Sequence, residues 1–408
     1  MRSLAVLWLA VLLAGCAASP TPAPIPAQPA VAAGAPAFDA PVVAAECTSA
    51  CIEPTIAVGL DGTVYVAGFR QPGLLVSHDA GQTYEVVASP PFPSPSPLAG
   101  SGSDDLVQVA PWGELFFTRL MTESFYNTPG VQVAGSLDGG ATWATNVFVH
   151  PRTVPGDLDA VSDRQWLAFD GTDTVYLSFN SGASVTQTVV VSQDRGATFG
   201  GPVIAATSAD HTFPSPAGAP VVGPGHEIVI PYFVGIRTDG QVGSHGVGAA
   251  VSKDGGRTFS NIDVFVHESL GTQAGFPQAA ALPNGTYVVG WSTTDGSIWL
   301  SFSGDGGTTW SLQALQFGPE VAHADSYPWL EARPGGGFDA LYFGENAGAH
   351  EARLLRFAAD GAVTFGELHG KMGGDTDFST LAHLPDGRAI SAFVTGEGQV
   401  TTIVETRG

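Results

Sequence analysis

The chain is poor in charge, and above all in positive charge. Only 13% of its 408 residues are Asp, Glu, Lys or Arg, and the 15 basic residues face 38 acidic ones, for a net charge of −23. An acidic surface of this kind repels phosphate backbones, so nucleic acid is excluded as a partner. Cysteine is nearly absent as well, with three in all and no Cys-x-x-Cys pair, which argues against a redox motif. The ten His show no His-x-x-x-His spacing of a zinc site. No Gly-rich loop opens a helix to cradle phosphate, and no Ser-nucleophile phrase occurs. The sole long apolar run, Leu4–Leu13, is too short to span a bilayer as a mature helix.

Turn formers and strand formers take the place of charge. There are 53 Gly and 30 Pro, with many Val, Thr, Phe and Trp, a composition suited to short strands joined by turns. One phrase, Ser-x-Asp-x-Gly-x-Thr-aromatic, starts at 77, 136, 192, 252 and 303, at intervals of 59, 56, 60 and 51. Its acids are Asp79, Asp138, Asp194, Asp254 and Asp305. A near-constant period means a repeat architecture. In each copy the Ser and Asp side chains can fold the backbone on itself, and the Gly allows positive φ. The Thr and the aromatic then start a returning strand. Before each copy stands an apolar hairpin, as in Thr55–Gly68, and two further hairpins follow the last copy, at Trp329–Phe343 and Thr380–Val394.

The phrase resembles the Asp box, or bacterial neuraminidase repeat, and the chain is similar to the sialidase-like propellers. The fold expected is all-β: a β-propeller of four-stranded antiparallel blades. The hairpin count predicts seven blades, with the sialidase-like six as the alternative. The seventh has only Gln399–Glu405 after its hairpin, so the N-terminal Ala40–Ala45 is expected to supply its outer strand and close the ring, leaving no exposed edge.

Ahead of the propeller, assigned to residues 42–408, lie two shorter segments. Residues 1–15 carry Arg2 and the apolar run and end at Leu13-Ala14-Gly15-Cys16, which resembles a lipoprotein signal peptide with its lipobox. The resemblance implies acylation of Cys16 and export, with the lipid anchored in a bacterial membrane (outer membrane or cell surface). Residues 16–41 form a Pro/Ala-rich tether. In an export compartment Cys47 and Cys51 are expected to form a disulfide.

In such a blade the repeated turns occupy one face, and the longer connections the other, where binding residues gather. Candidates at the starts of the inner strands are Glu53, Asp104, Asp105, Asp163, Arg164, His211, Gln278, Asp325, Tyr327, Asp375 and Asp377; Arg70, Arg119, Arg237 and Glu345 come from second-turn loops. A sialidase resemblance implies three Arg for a substrate carboxylate, a Tyr nucleophile with a Glu partner, and an Asp acid/base. Arg70 matches the place of a second family Arg, and Tyr327 is the candidate nucleophile, with Glu345 or Glu331 beside it; Asp105 and Asp163 are a candidate general acid/base pair for a neutral glycan. The first family Arg is missing, because Cys51-Ile52-Glu53-Pro54 stands in its place. Arg70, Glu53, Asp163, Arg164 and Asp377 are therefore read first as ligand-binding residues.

No cofactor is required. Asp157-Leu158-Asp159 and Asp375-Thr376-Asp377 are candidate Ca²⁺ ligands, while Trp112, Phe125 and Tyr126 are candidates to stack on a sugar. The reading preferred is a monomeric surface module binding a glycan or an envelope protein. A sialidase-like glycoside hydrolase is the alternative, and an envelope-assembly scaffold the third.

Overall fold

The computed structural model describes residues 36–47, 51–93, 101–122, 130–149, 163–181, 186–207, 217–238, 241–266, 276–311, 315–318, 322, 324, 326–346, 349–359, 362–371 and 379–407. These residues form seven four-stranded antiparallel sheets, the blades of a propeller. In blades one to six, strand order in the sheet follows the chain. The first strand of each blade lines the central channel: Ile52–Val58, Ser101–Val109, Asp163–Asp170, Val221–Val222, Gln278–Ala281, Trp329–Ala332 and Thr380–His383.

Blade seven is the exception that closes the ring. Its strands run Thr380–His383, Ala389–Val394, Val400–Val404 and then Val42–Ala45 from the other end of the chain. Val42 pairs with Thr402 and Val43 with Thr401, and Asp39 N–H donates to the Val404 carbonyl at 2.8 Å. The count of seven and the closing strand agree with the hairpin reading; the six-bladed alternative is not found. Cys47 and Cys51 are disulfide-linked with Cα atoms 5.8 Å apart, tying the end of that closing strand to the start of blade one.

The core lies between neighbouring blades, whose faces are both apolar. Between blades five and six, for example, Val288, Ile298 and Leu300 pack with Leu330, Phe338 and Leu355. Side chains also tie inner strand to inner strand around the channel. Ile56 N–H donates to Thr380 Oγ1 at 2.8 Å, and Val107 N–H to Thr55 Oγ1 at 2.9 Å. The Gln108 amide bonds both the N–H and the carbonyl of Leu167, each at 2.8 Å.

The repeated phrase forms the turn between the third and fourth strands of its blade. Asp79 shows the pattern: Oδ1 accepts from Ser77 Oγ at 2.8 Å and from Thr83 N–H at 2.9 Å, and Oδ2 accepts from Thr83 Oγ1 at 2.6 Å. Asp138, Asp194, Asp254 and Asp305 accept the same three bonds from their own Ser and Thr. These donors, led by the Thr hydroxyl, hold Asp79, Asp254 and Asp305 down to about 2.

The Gly of the phrase has a second duty besides its positive φ. At Gly81 (φ 86°) a Cβ would sit 2.8 Å from Ile390 Cδ1 of blade seven, and at Gly140 (φ 94°) 2.8 Å from Leu74 Cδ2 of blade one. The phrase thus seats each turn against the preceding blade, which is why its period equals one blade. Gly81→Ala, which combines backbone strain with a clash, is expected to lower stability by about 2 kcal/mol. Ala80→Gly, one position earlier at φ 59°, relieves a left-handed alanine and is expected not to destabilise. Thermal unfolding of the two variants checks the contrast.

Candidate functional site

Three inner strands begin with the same defect. In blade one the register with the second strand slips between Ile52 and Thr55, in blade two between Ser103 and Leu106, and in blade three between Asp163 and Trp166. Each slip is a bulge, and each holds a non-glycine residue in the left-handed region: Glu53 at φ 56°, Asp104 at 53° and Arg164 at 56°. Left-handed residues with a Cβ carry strain of roughly 1–3 kcal/mol each and persist where the surroundings hold them. The strain brings three charged side chains from consecutive blades together at the channel mouth.

Arg164 Nη1 lies 3.5 Å from Glu53 Oε1, and Arg164 Nε lies 3.7 Å from Asp163 Oδ1. The Asp104 carboxyl interacts with that of Glu53. Asp104 is pushed up to about 6, first by burial and then by the Asp163 charge, against the pull of Arg164 and Glu53. The buried Gln165 amide donates to the Asp104 carbonyl, stapling the third bulge to the second.

An aromatic floor supports the cluster. The Arg164 guanidinium sits 4.4 Å from the centroid of Phe276, which meets Tyr327 edge-on at 5.3 Å. Beneath them Trp166 of blade three reaches Trp329 of blade six, ring centroids 5.4 Å apart, and Leu106 completes the apolar layer. A polar rim over an apolar base offers a ligand both hydrogen-bonding groups and ring surface.

The expected residues divide accordingly. Glu53, Asp163, Arg164 and, through the floor, Tyr327 come together. Asp105 does not join them: the bulge turns it away, and its carboxylate is held by Arg119 through bonds of 2.6 and 2.7 Å. Burial raises the Asp105 carboxyl, with the guanidinium opposing. Asp104, one residue earlier, takes the place at the mouth expected of Asp105.

Arg70 is exposed and lies over its neighbour Phe69 at 5.0 Å, with no ion pair among the described residues. Trp112 belongs to the opposite face, packed edge-on against Phe169 at 5.6 Å with its N–H on Glu114 at 2.8 Å, so it cannot stack on a ligand at the mouth. Cys16, Phe125, Tyr126, Asp157, Asp159, His211, Asp325, Asp375 and Asp377 lie outside the described residues, as do the side chains of Arg237 and Glu345. Among the described residues no group of three or more His, Cys, Asp or Glu is placed to hold a metal.

No protein-family model and no curated protein sequence matches the chain. Solved structures do. A protein of unknown function from Dyadobacter fermentans superposes with a TM-score of 0.52 at 16% identity, covering 90% of this chain and 97% of that one. The α-L-arabinanase of Penicillium chrysogenum, complexed with arabinobiose, gives 0.52 at 14% identity over 81% of this chain and 98% of the other. Trypanosoma rangeli sialidase gives 0.51 at 13% identity over 90% of this chain and 59% of its own. The chain therefore shares the sialidase-like propeller fold of these glycoside hydrolases, and at such identities the likeness is one of fold alone.

Proposed function

We propose that the chain is an exported, carbohydrate-directed propeller that holds a neutral glycan at the mouth formed by Glu53, Asp104 and Arg164. The repeated turns are then Asp boxes, residues 1–15 a signal peptide, and Cys16 the acylated end of the 16–41 tether that keeps the 42–408 propeller at a bacterial outer membrane or cell surface.

One observation carries the choice of ligand: the mouth gathers Glu53, Asp104 and Asp163 around the guanidinium of Arg164. That guanidinium is already engaged by carboxylates, so among the described residues at the mouth a sugar acid meets no uncommitted cation. A neutral sugar finds acceptors for its hydroxyls and an aromatic base for its ring. The fold likeness to an arabinanase complexed with a neutral disaccharide supports the same direction.

A second reading, hydrolysis, is favoured by the raised Asp104. A carboxyl that keeps its proton to about 6 can protonate a departing glycosidic oxygen, with Asp163 as the second acid beside it.

The test is calorimetric binding of neutral arabino- and gluco-oligosaccharides and of a sialoside, with fluorogenic hydrolysis of the corresponding glycosides. Asp104→Asn is expected to weaken neutral-glycan binding at least about tenfold, equivalent to ~1.4 kcal/mol. Any hydrolysis should decline as pH rises past about 6, where the proton is lost. Sialoside turnover that disappears in Arg70→Ala would overturn the assignment.

A further inference from the structure

The Trp166–Trp329 contact has an effect on the far side of the floor. These two residues come from blades three and six, across the ring from one another, and with Leu106, Phe276 and Tyr327 they plug the channel. Beneath the plug remains a chamber of about 420 Å³, walled by the inner strands of all seven blades and bordered at its other end by Pro334, in a short turn. Its walls are mostly Val, Ala, Leu and Ile. The polar groups of Thr55, Gln108 and Thr380 are occupied in ties between blades.

Two ionisable residues line this chamber, Glu331 and His383. His383 is committed: its Nε2 lies 3.0 Å from Asp339 Oδ2. Glu331 has no ion pair among the described residues. The groups that face it are His383 of blade seven and Asp339, its partner on the neighbouring strand. Behind them Arg356 is spent on Asp339 and Glu405, and Arg333 lies 3.8 Å from Asp339. Burial, opposed by the His383 charge and the Trp329 indole, pushes Glu331 up to about 7. A carboxylate without an ion pair, beneath two indoles, favours a cation beside it, and indole faces attract cations as well.

We propose that this lower chamber is a second binding site, separate from the mouth, for a small organic cation of the alkylammonium class, held by Glu331 beneath the Trp166–Trp329 roof. The volume admits a trimethylammonium group, and the Val, Ala and Leu residues of the walls offer apolar contacts to its methyls. An inorganic cation would lose its hydration shell there without enough oxygen ligands to replace it.

The probe pair is choline and its uncharged isostere 3,3-dimethylbutan-1-ol, titrated into the purified full chain by calorimetry, with saturation-transfer NMR on the methyl signal. Choline is expected to bind at least about tenfold more tightly than the alcohol. Its affinity should rise between about pH 6 and 8 as Glu331 ionises. Glu331→Gln should abolish the preference and Trp329→Leu weaken choline, while Glu331→Gln leaves any glycan binding at the mouth unchanged. Loss of the raised acid should also remove a destabilisation that grows as pH rises through about 7, so a higher melting temperature at pH 8 will show that this variant is folded. No saturable choline binding up to about 10 mM, equal binding of the alcohol, or full binding by Glu331→Gln would each overturn the proposal.

Discussion

Asp339→Ala is expected to lower stability by about 3–5 kcal/mol, the largest loss of any single substitution considered. The Asp339 side chain is wholly inaccessible, yet three cationic or potentially cationic groups converge on it. Arg356, its partner on the next strand, donates two bonds of 2.8 and 2.7 Å; His383 of blade seven lies at 3.0 Å, and Arg333 at 3.8 Å. Arg356 turns its other edge to Glu405, at 2.6 and 2.8 Å, and Glu405 accepts the Ala389 N–H at 3.0 Å. The carboxylate therefore bolts blade six to blade seven beside the seam where the two chain ends meet. Burial would raise Asp339, but these donors outweigh it and hold it low. Removing it strands part of Arg356 and the His383 ring in a site without water, and that penalty exceeds the net worth of the pair. Thermal unfolding measures the loss. An Asp339→Ala, Arg356→Leu double variant should recover part of it, since the stranded charge goes too. A melting temperature unchanged by Asp339→Ala would mean that the seam is held by packing alone.

The ring was legible in sequence because its signal is local and repeated. Ser, Asp, Gly and Thr of each turn bond one another within a few residues, so the phrase survives as a pattern, and its spacing measures the blade. The closing strand was legible by subtraction, since blade seven runs out of chain. The mouth was legible only in outline. Glu53, Asp163 and Arg164 could be placed at strand starts, but nothing local marks a bulge. A bulge changes which of two neighbours faces a given way, just as a one-residue slip does. That is why Asp104 and not Asp105 meets Glu53: the adjacent carboxylates differ only in which side of the irregularity they fall. The Trp166–Trp329 plug was beyond reach for another reason. Each Trp reads as an ordinary core residue of its own strand, and only ring closure brings them into contact.

Arg164→Ala is the second substitution with a large expected effect, and it carries its own pH signature. The guanidinium is the cation shared by Glu53 and Asp163, and it holds Asp104 below where burial alone would put it. Without it, three neighbouring carboxyls are left with no shared cation, and Asp104 should rise above its present value of about 6. A carboxyl raised in the folded state contributes stability below its unfolded value, near 3.8, and loses it as pH climbs through the folded one. The variant should thus lie close to wild type at about pH 4–5 and fall behind by roughly 2–3 kcal/mol near pH 8, as the crowded acids are forced to ionise. Lost packing against Phe276, by contrast, would lower stability equally at both pH values. Adding Glu53→Gln removes one of the crowded charges and should restore about 1–2 kcal/mol at pH 8 and little at pH 5. Melting curves of the three proteins at the two pH values separate these contributions. A deficit independent of pH would show that Arg164 serves the mouth as a packing residue, and that the strained bulges were not built around its charge.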